Sequence, residues 1–268
     1  MAFYSVITSL GRGLIVLSAV ALGAPISVAQ DAGGSPAPPP LSKECQTPGV
    51  SEPSSIPLPN TTQALKQSKT IRILMIGASE SAGYTSARGS YQDLIERTLE
   101  RAVPGLNVVP IRRGISGELA ANAARRMKIE VAFNKPNLVL WQVGTNDALA
   151  FVPMEEIRAT ITEMVRWLKE HNIDVVLVGL HYSPRMIHDP YYQTVRKMIQ
   201  QVSDAEKVLR IRRYEATELI HQAQAIERSN QINEFAQNEA GYTCMAEYVA
   251  RAITIGLFAK PAAPPPVR

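Results

Sequence analysis

The amino-acid sequence predicts an α/β domain built on a parallel β-sheet with helices on both faces. Two observations support this prediction. From Thr70 to Phe258, short apolar runs alternate with longer segments whose apolar residues recur at helical spacing. In addition, several of the apolar runs end in turns of small and polar residues, as the buried strands of parallel sheets often do. An alternation of this kind is typical of a sheet layer covered by helices on each side.

The segment Thr70–Gly83 contains the first strand and the first of these turns. Ile71 begins an apolar run that ends at Gly77, and small residues follow it. Because ligands bind at the carboxyl edge of open parallel sheets, Ser79 is expected where a nucleophile would be presented. Taken alone, the spacing Gly-x-Ser-x-x-x-Gly fits a plain strand-to-helix turn equally well.

The other elements follow from the same patterns. Helices are predicted at Thr61–Ser68, Tyr91–Val103, Glu118–Phe133, Pro153–His171, Tyr192–Val202, Ala216–Arg228 and Tyr242–Phe258. Further strands are predicted at Leu106–Ile111, Leu138–Val143, Val175–Leu180 and Val208–Tyr214. Two more polar turns follow strands, at Arg113–Gly117 and Gly144–Asp147. With Ser79, this places three such turns at one edge of the sheet.

The amino terminus has the pattern of a secretory signal peptide. Arg12 precedes an apolar run, and Ser27-Val28-Ala29 matches the small-x-small form of a cleavage site, so residues 1–29 are expected to be removed before Gln30. The run is too short for a comfortable membrane span. The sequence therefore predicts an exported protein, periplasmic or secreted. An uncleaved amino-terminal anchor is the alternative, and it also places the domain outside the cytoplasm.

Proline-rich segments flank the predicted domain. Residues 30–60 are expected to form a linker and an extended arm, residues 61–259 the folded domain, and residues 260–268 a tail. The two cysteines are Cys45 in the arm and Cys244 in the last helix. In an exported chain this pair suggests a disulfide, with two separate buried thiols as the alternative.

Charge and motifs exclude several classes of partner. The formal net charge is +4, but the basic residues are scattered, with no basic stripe and no nucleic-acid-binding motif. No metal-ligand cluster and no nucleotide-binding loop is visible in the sequence, so neither a cofactor nor a metal ion is expected.

The residue types at the three turns match the needs of acyl transfer. Ser79 offers a hydroxyl and a backbone N–H, Gly114 an N–H that no side chain shields, and Asn146 a side-chain amide. A nucleophile and donors for a developing oxyanion are what this chemistry requires. The sequence therefore predicts Ser79 as nucleophile, with Ser79, Gly114 and Asn146 as the oxyanion hole.

From about Ile71 to Ile253 the sequence resembles the SGNH or GDSL hydrolases. The resemblance is carried by Gly77-Ala78-Ser79 in place of Gly-Asp-Ser, by Gly114, and by Gly144-Thr145-Asn146-Asp147 after a buried strand. It implies a flavodoxin-like three-layer α/β/α sandwich. It also implies a serine ester hydrolase acting on acyl or acetyl esters, either small or linked to carbohydrate.

The last block of that family departs from its pattern. The framing residues Asn238, Gly241 and Tyr242 place Asn233 where the resemblance expects Asp and Ala236 where it expects His. Alanine cannot accept a proton, and a serine hydroxyl without a base is a poor nucleophile at neutral pH. His181, which follows a strand directly, is a possible substitute base, and His188 is a second.

Two functions therefore stay open. The chain is an ester hydrolase with reduced turnover, or a catalytically inactive pseudo-hydrolase that serves as a ligand-binding module of the envelope. An acyltransferase would need the same missing base.

Overall fold

Five parallel strands form one sheet in the order β2-β1-β3-β4-β5. The computed structural model describes residues 37–46, 55–78, 90–218, 221 and 239–260, all within one compact unit, Ser35–Arg268. The strands are β1 (Thr70–Ala78), β2 (Asn107–Ile115), β3 (Leu138–Gln142), β4 (Asp174–Val178) and β5 (Leu209–Ile211). Every strand pair is parallel, so the carboxyl ends of all five strands lie at one edge.

The helices connect these strands. They are α1 (Pro59–Ser68), α2 (Tyr91–Ala102), α3 (Ala120–Asn134), α4 (Thr145–Leu149), α5 (Met154–Glu170), α6 (Pro190–Ala205), α7 (residues 213–218) and α8 (Glu239–Phe258). Local sequence sets two of their starts. Ser90 and Asp93 form a reciprocal capping box at α2, and the Asp189 side chain accepts from the Tyr192 N–H at α6.

Alternate strand residues face opposite sides of the sheet and build two separate cores. In β1, Ile73 and Met75 pack with residues of α2 and α8, whereas Leu74 and Ile76 pack with residues of α3, α5 and α6. This period of two is what a strand buried on both faces requires. The predicted three-layer α/β/α architecture is confirmed.

Three local predictions were wrong. β2 continues through Ile115, so Gly114 lies inside the strand opposite Gly77 and not in the following turn. β5 ends at Ile211, and residues 213–218 are helical, with the Tyr214 ring packed against the Arg196 guanidinium at 4.2 Å from Arg196 Cζ to the ring centroid. The five-residue helix α4 stands where only a turn was predicted.

The arm and the last helix are joined covalently. Cys45 and Cys244 form a disulfide with their Cα atoms 5.1 Å apart, which confirms the predicted pairing. The Tyr248 hydroxyl also donates to the Cys45 carbonyl at 2.6 Å, and the Ser42 N–H to Glu247 at 2.8 Å. Within the described ranges, no helix is both long and apolar enough to cross a membrane. Residues 1–29 and 261–268 lie outside those ranges.

Candidate active site

The carboxyl ends of β1, β2 and β3 meet at the position where the nucleophile is predicted. Gly77 pairs with Gly114 on one side and with Gln142 on the other. A Cβ on Gly77 would lie 2.1 Å from the Gln142 carbonyl oxygen, and its φ is +100°, so only glycine fits this close approach. Ser79, just beyond the last residue of β1, lies outside the described residues, and its role stays a prediction.

Asn146 is held at this edge by the turn after β3. Gly144 has a φ of +100°, and a Cβ there would lie 2.3 Å from Ile199 Cδ1, so glycine is required for α4 to begin here. In the first turn of α4, Asn146 Nδ2 donates to the Glu118 carbonyl oxygen at 3.1 Å. A side-chain amide nitrogen carries two N–H groups, and this hydrogen bond uses one of them. The amide is therefore fixed in orientation by the β2–α3 connection.

Asp147 also links α4 to the start of α3, but as a hydrogen-bond acceptor where Asn146 is a donor. Its Oδ1 accepts from the Ala120 N–H at 2.8 Å, which caps α3, since Leu119 at the N-cap has no side-chain acceptor. Asp147 is only 2% exposed, and burial raises the pKa of its carboxyl group. Sequence reasoning treated Asp147 as part of a motif and missed this capping role.

The turn between β2 and α3 carries a second glycine. Gly117 is exposed, has a φ of +76°, and directly precedes Glu118, to which Asn146 is bonded. Gly114, three residues earlier, lines a small cavity with Gly77 and Gln142, and Asn146 is not among the residues that line it. Gly117 is therefore a second candidate, beside Gly114, for a backbone N–H donor near Asn146, and the role of Gly114 stays a prediction. The second glycine of the RRGISG segment is its sequence signal.

The backbone of His181 is hydrogen-bonded to Thr145, the first residue of α4, and its ring lies beside a cationic side chain. The His181 N–H donates to Thr145 Oγ1 at 3.0 Å, and Arg213 Nη2 lies 3.3 Å from His181 Nδ1. Because a guanidinium only donates, this contact assigns Nδ1 as the acceptor, and the neutral ring then carries its proton on Nε2. A ring with this tautomer donates from Nε2, and the role of His181 as a substitute base stays a prediction.

His188 is exposed in the loop before α6, where its neighbour Asp189 is engaged in capping that helix. Asn233 and Ala236 lie outside the described residues, so their positions stay predictions. Among the residues that the structure describes, no group of three or more His, Cys, Asp or Glu side chains could hold a metal ion.

Comparison with known proteins identifies the family of the chain. A profile of the non-GDSL lipase-like family matches residues 44–258. The chain belongs to this family. This membership agrees with the predicted resemblance to SGNH/GDSL-like lipases and esterases.

The relatives of this lipase-like chain include named esterases. It is 27% identical over 138 residues to an arylesterase of Vibrio mimicus, a match covering 48% of this chain and 66% of that protein. It is 28% identical over 133 residues to esterase TesA of Pseudomonas aeruginosa, covering 47% and 63%. The chain thus spans less than two thirds of the length of these curated relatives.

A solved structure of similar fold is the lipase/acylhydrolase of Enterococcus faecalis. The TM-score is 0.56 at 22% identity, and the match covers 72% of this chain and all of the other. At this identity the likeness concerns the fold, and it agrees with the five-stranded parallel sheet flanked by helices.

Proposed function

We propose that this chain is an exported ester hydrolase that acts on small or carbohydrate-linked acyl or acetyl esters through Ser79. The observation that supports the proposal most directly is the Asn146 amide, anchored on the Glu118 carbonyl at 3.1 Å at the carboxyl edge of the sheet. That edge is where β1 delivers the chain to Ser79. An oriented amide beside a nucleophile is the arrangement that stabilises an acyl-transfer oxyanion.

In the proposed reaction, Ser79 Oγ attacks the ester carbonyl and its proton passes to a base. The carbonyl oxygen becomes an oxyanion, which accepts hydrogen bonds from Asn146 Nδ2 and from backbone N–H groups of Ser79 and the β2–α3 turn. The alcohol then leaves with a proton, and water hydrolyses the acyl-enzyme by the same route. Turnover is expected to be slow, because Asn233 and Ala236 stand where the resemblance expects the orienting Asp and the base.

Two features support the proposed setting and substrate class. The Cys45–Cys244 disulfide suits an oxidising compartment, as does the signal-peptide pattern of residues 1–29. The relatives named as an arylesterase and an esterase support an ester substrate. Aryl acetates are therefore suitable first probes.

A binding module of the envelope is the second candidate. The sequence feature that favours it is the pair Asn233 and Ala236, which stand where the resemblance expects the Asp and the His of the base. Without a base, an oxyanion hole retains on the order of 10³ to 10⁴ of rate over water in the protease precedent. A pocket of this kind would bind an ester and release it largely unchanged.

The first test is hydrolysis of 4-nitrophenyl acetate by the mature domain, beside Ser79→Ala. We expect measurable turnover that Ser79→Ala abolishes, while the control Ser68→Ala, on the exposed face of α1, keeps the wild-type rate. Equal rates for wild type and Ser79→Ala would favour the binding module.

The second test restores the missing pair. Asn233→Asp together with Ala236→His supplies a base and a group that orients it, so turnover should rise by orders of magnitude. Ala236→His alone should recover less, because the ring tautomer is less well set. If the double substitution gives no gain, the predicted register of this block is wrong.

A further inference from the structure

One side chain, Arg126, ties the end of β2 to the residue that follows the turn before α3. Arg113, the last residue before Gly114, presents its carbonyl oxygen to Arg126 Nη2 at 2.5 Å. Glu118, the first residue after Gly117, presents its carboxylate to the same guanidinium. Arg126 belongs to α3, so the helix that follows the turn also ties the turn together.

We propose that Glu118 and Arg126 form a turn clamp that positions the oxyanion donors of this site. The inference deepens the proposed function and rests on it. The clamp residues touch neither substrate nor reacting atoms. They act through the segment 114–117, which carries both glycines considered as backbone donors, and through Asn146.

The contact between the clamp residues is bidentate and largely removed from water. Arg126 Nε donates to Glu118 Oε1 at 3.0 Å, and Nη2 donates to Oε2 at 2.8 Å. The Glu118 side chain is 4% exposed and that of Arg126 is 25% exposed. A planar fork paired with a carboxylate fixes direction as well as distance, which a lysine ammonium cannot do.

The link from the clamp to the site runs through the main chain of Glu118. Its carboxylate is fixed by Arg126, and its carbonyl oxygen accepts the hydrogen bond from Asn146 Nδ2 at 3.1 Å. The Ala120 N–H, two residues on, is held by Asp147 at 2.8 Å. Residues of α4 and α3 therefore grip the end of the turn from both sides.

A neighbouring acidic side chain extends the support along α3. Glu130 Oε2 accepts from Arg113 Nε at 2.9 Å. Arg113 is therefore held twice, at its carbonyl oxygen by Arg126 and at its side chain by Glu130. Misplacing an oxyanion donor weakens binding of the transition state more than binding of the ester itself. Loss of the clamp should consequently lower kcat with little effect on KM.

The test compares Arg126→Met with the matched control Arg125→Met. Arg125 is the adjacent residue of α3, is exposed, and contacts only the Asn122 side chain among the hydrogen bonds of the described residues. With 4-nitrophenyl acetate we expect Arg126→Met to lower kcat at least tenfold with KM within twofold, and Arg125→Met to leave both within twofold. Arg126→Lys, which replaces the fork with a single ammonium, should fall between them.

A second readout does not depend on turnover. The side-chain ¹⁵N–¹H resonances of Asn146, assigned by their loss in Asn146→Asp, should move in Arg126→Met and in the milder variant Glu118→Gln, but not in Arg125→Met. If Ser79→Ala keeps the wild-type rate, the proposed function fails, and the Asn146 resonances alone decide whether the clamp positions the amide. If Arg126→Met matches Arg125→Met in kcat and in these resonances, the clamp is overturned.

Discussion

Asp147 places a buried carboxylate between α4 and α3, with Oδ1 capping Ala120 at 2.8 Å. Its Oδ2 is buried and accepts no hydrogen bond from the residues that the structure describes. Burial is the largest influence on this group, and it raises the pKa of Asp147 in the folded protein above its ordinary value. The ionised side chain is thus less favourable in the folded than in the unfolded chain.

This raised pKa predicts a pH dependence of stability. Below the unfolded pKa, near pH 4, the protonated side chain contributes its full stability, and that contribution is lost as pH rises through the higher folded pKa. Asp147→Asn keeps an acceptor for Ala120 and does not ionise. The free energy of unfolding of Asp147→Asn relative to wild type should therefore increase from pH 4 to pH 7, by about 1.4 kcal/mol for each unit of raised pKa.

Urea unfolding at several pH values measures this difference. Asp204→Asn, at an exposed position of α6, is the control and should track the wild type throughout. A difference between Asp147→Asn and wild type that stays constant with pH would contradict the prediction.

Sequence reasoning predicts a site role for Asn146 because its residue type and its place after a strand both suit the proposed chemistry. It could not find the hydrogen bonds that orient it. The partners of Asn146 and Asp147, Glu118 and Ala120, are 28 and 27 residues away, and nothing in local spacing specifies such contacts. Gly114 was predicted in a turn and lies in β2, because the length of β2 depends on its pairing with β1, which the sequence of one strand does not reveal.

At the scale of elements, the amino terminus of helix α1 is capped by a residue of strand β4. Its N-cap residue, Leu58, has no side-chain acceptor. Asp174, the first residue of β4, accepts instead from the Thr61 N–H and the Thr61 hydroxyl, both at 2.8 Å, and from Asn60 Nδ2 at 2.9 Å. One carboxylate thus begins α1 and fixes it to the amino edge of the sheet.

Asp174→Ala should destabilise the domain by about 2–3 kcal/mol, because it leaves the buried Thr61 donors without an acceptor. Asp174→Asn should cost less, since it keeps one carbonyl oxygen. The free energy of unfolding in urea tests the order wild type, Asp174→Asn, Asp174→Ala. Equal stability of Asp174→Ala and wild type would show that the cap is dispensable.

The elements predicted well are those with a long periodic signal. Apolar spacing located α5 and the strands β1, β3 and β4 to within a few residues, because burial on one helical stripe or on both strand faces leaves a pattern in the sequence. The helix α4 is too short to leave such a pattern. The end of β5 was missed because apolar residues recur up to Tyr214 between the arginines of this segment, whereas Tyr214 belongs to the helical segment that follows, where its ring contacts Tyr182 and Tyr192.

For the whole molecule, the disulfide closes a loop over nearly the entire domain. It joins positions 199 residues apart and fastens the arm along α8, where Arg251 Nη1 also donates to the Pro39 carbonyl at 2.8 Å. The chain-entropy model gives roughly 5 kcal/mol for a loop of this length, and measured values are usually nearer 2–4 kcal/mol.

Cys45→Ala with Cys244→Ala should therefore lower the free energy of unfolding by about 2–4 kcal/mol in urea, while the 4-nitrophenyl acetate rate per folded molecule stays unchanged. Wild type measured with a strong reductant should approach the double variant. Identical unfolding curves for oxidised wild type and the double variant would mean that the noncovalent contacts of the arm suffice.

The position of β2 at one border of the sheet has a consequence for how this protein behaves at high concentration. Pro110 stands in the middle of β2, where it offers no N–H, and Arg112 and Arg113 follow it with exposed side chains. At the other border β5 has only three residues. Edge strands have unpaired backbone N–H and C=O groups that can pair with strands of other chains. Proline, charged side chains and a short strand each disfavour that pairing. Both borders are therefore poor templates for intermolecular strand addition, which protects the folded domain from aggregation through its sheet.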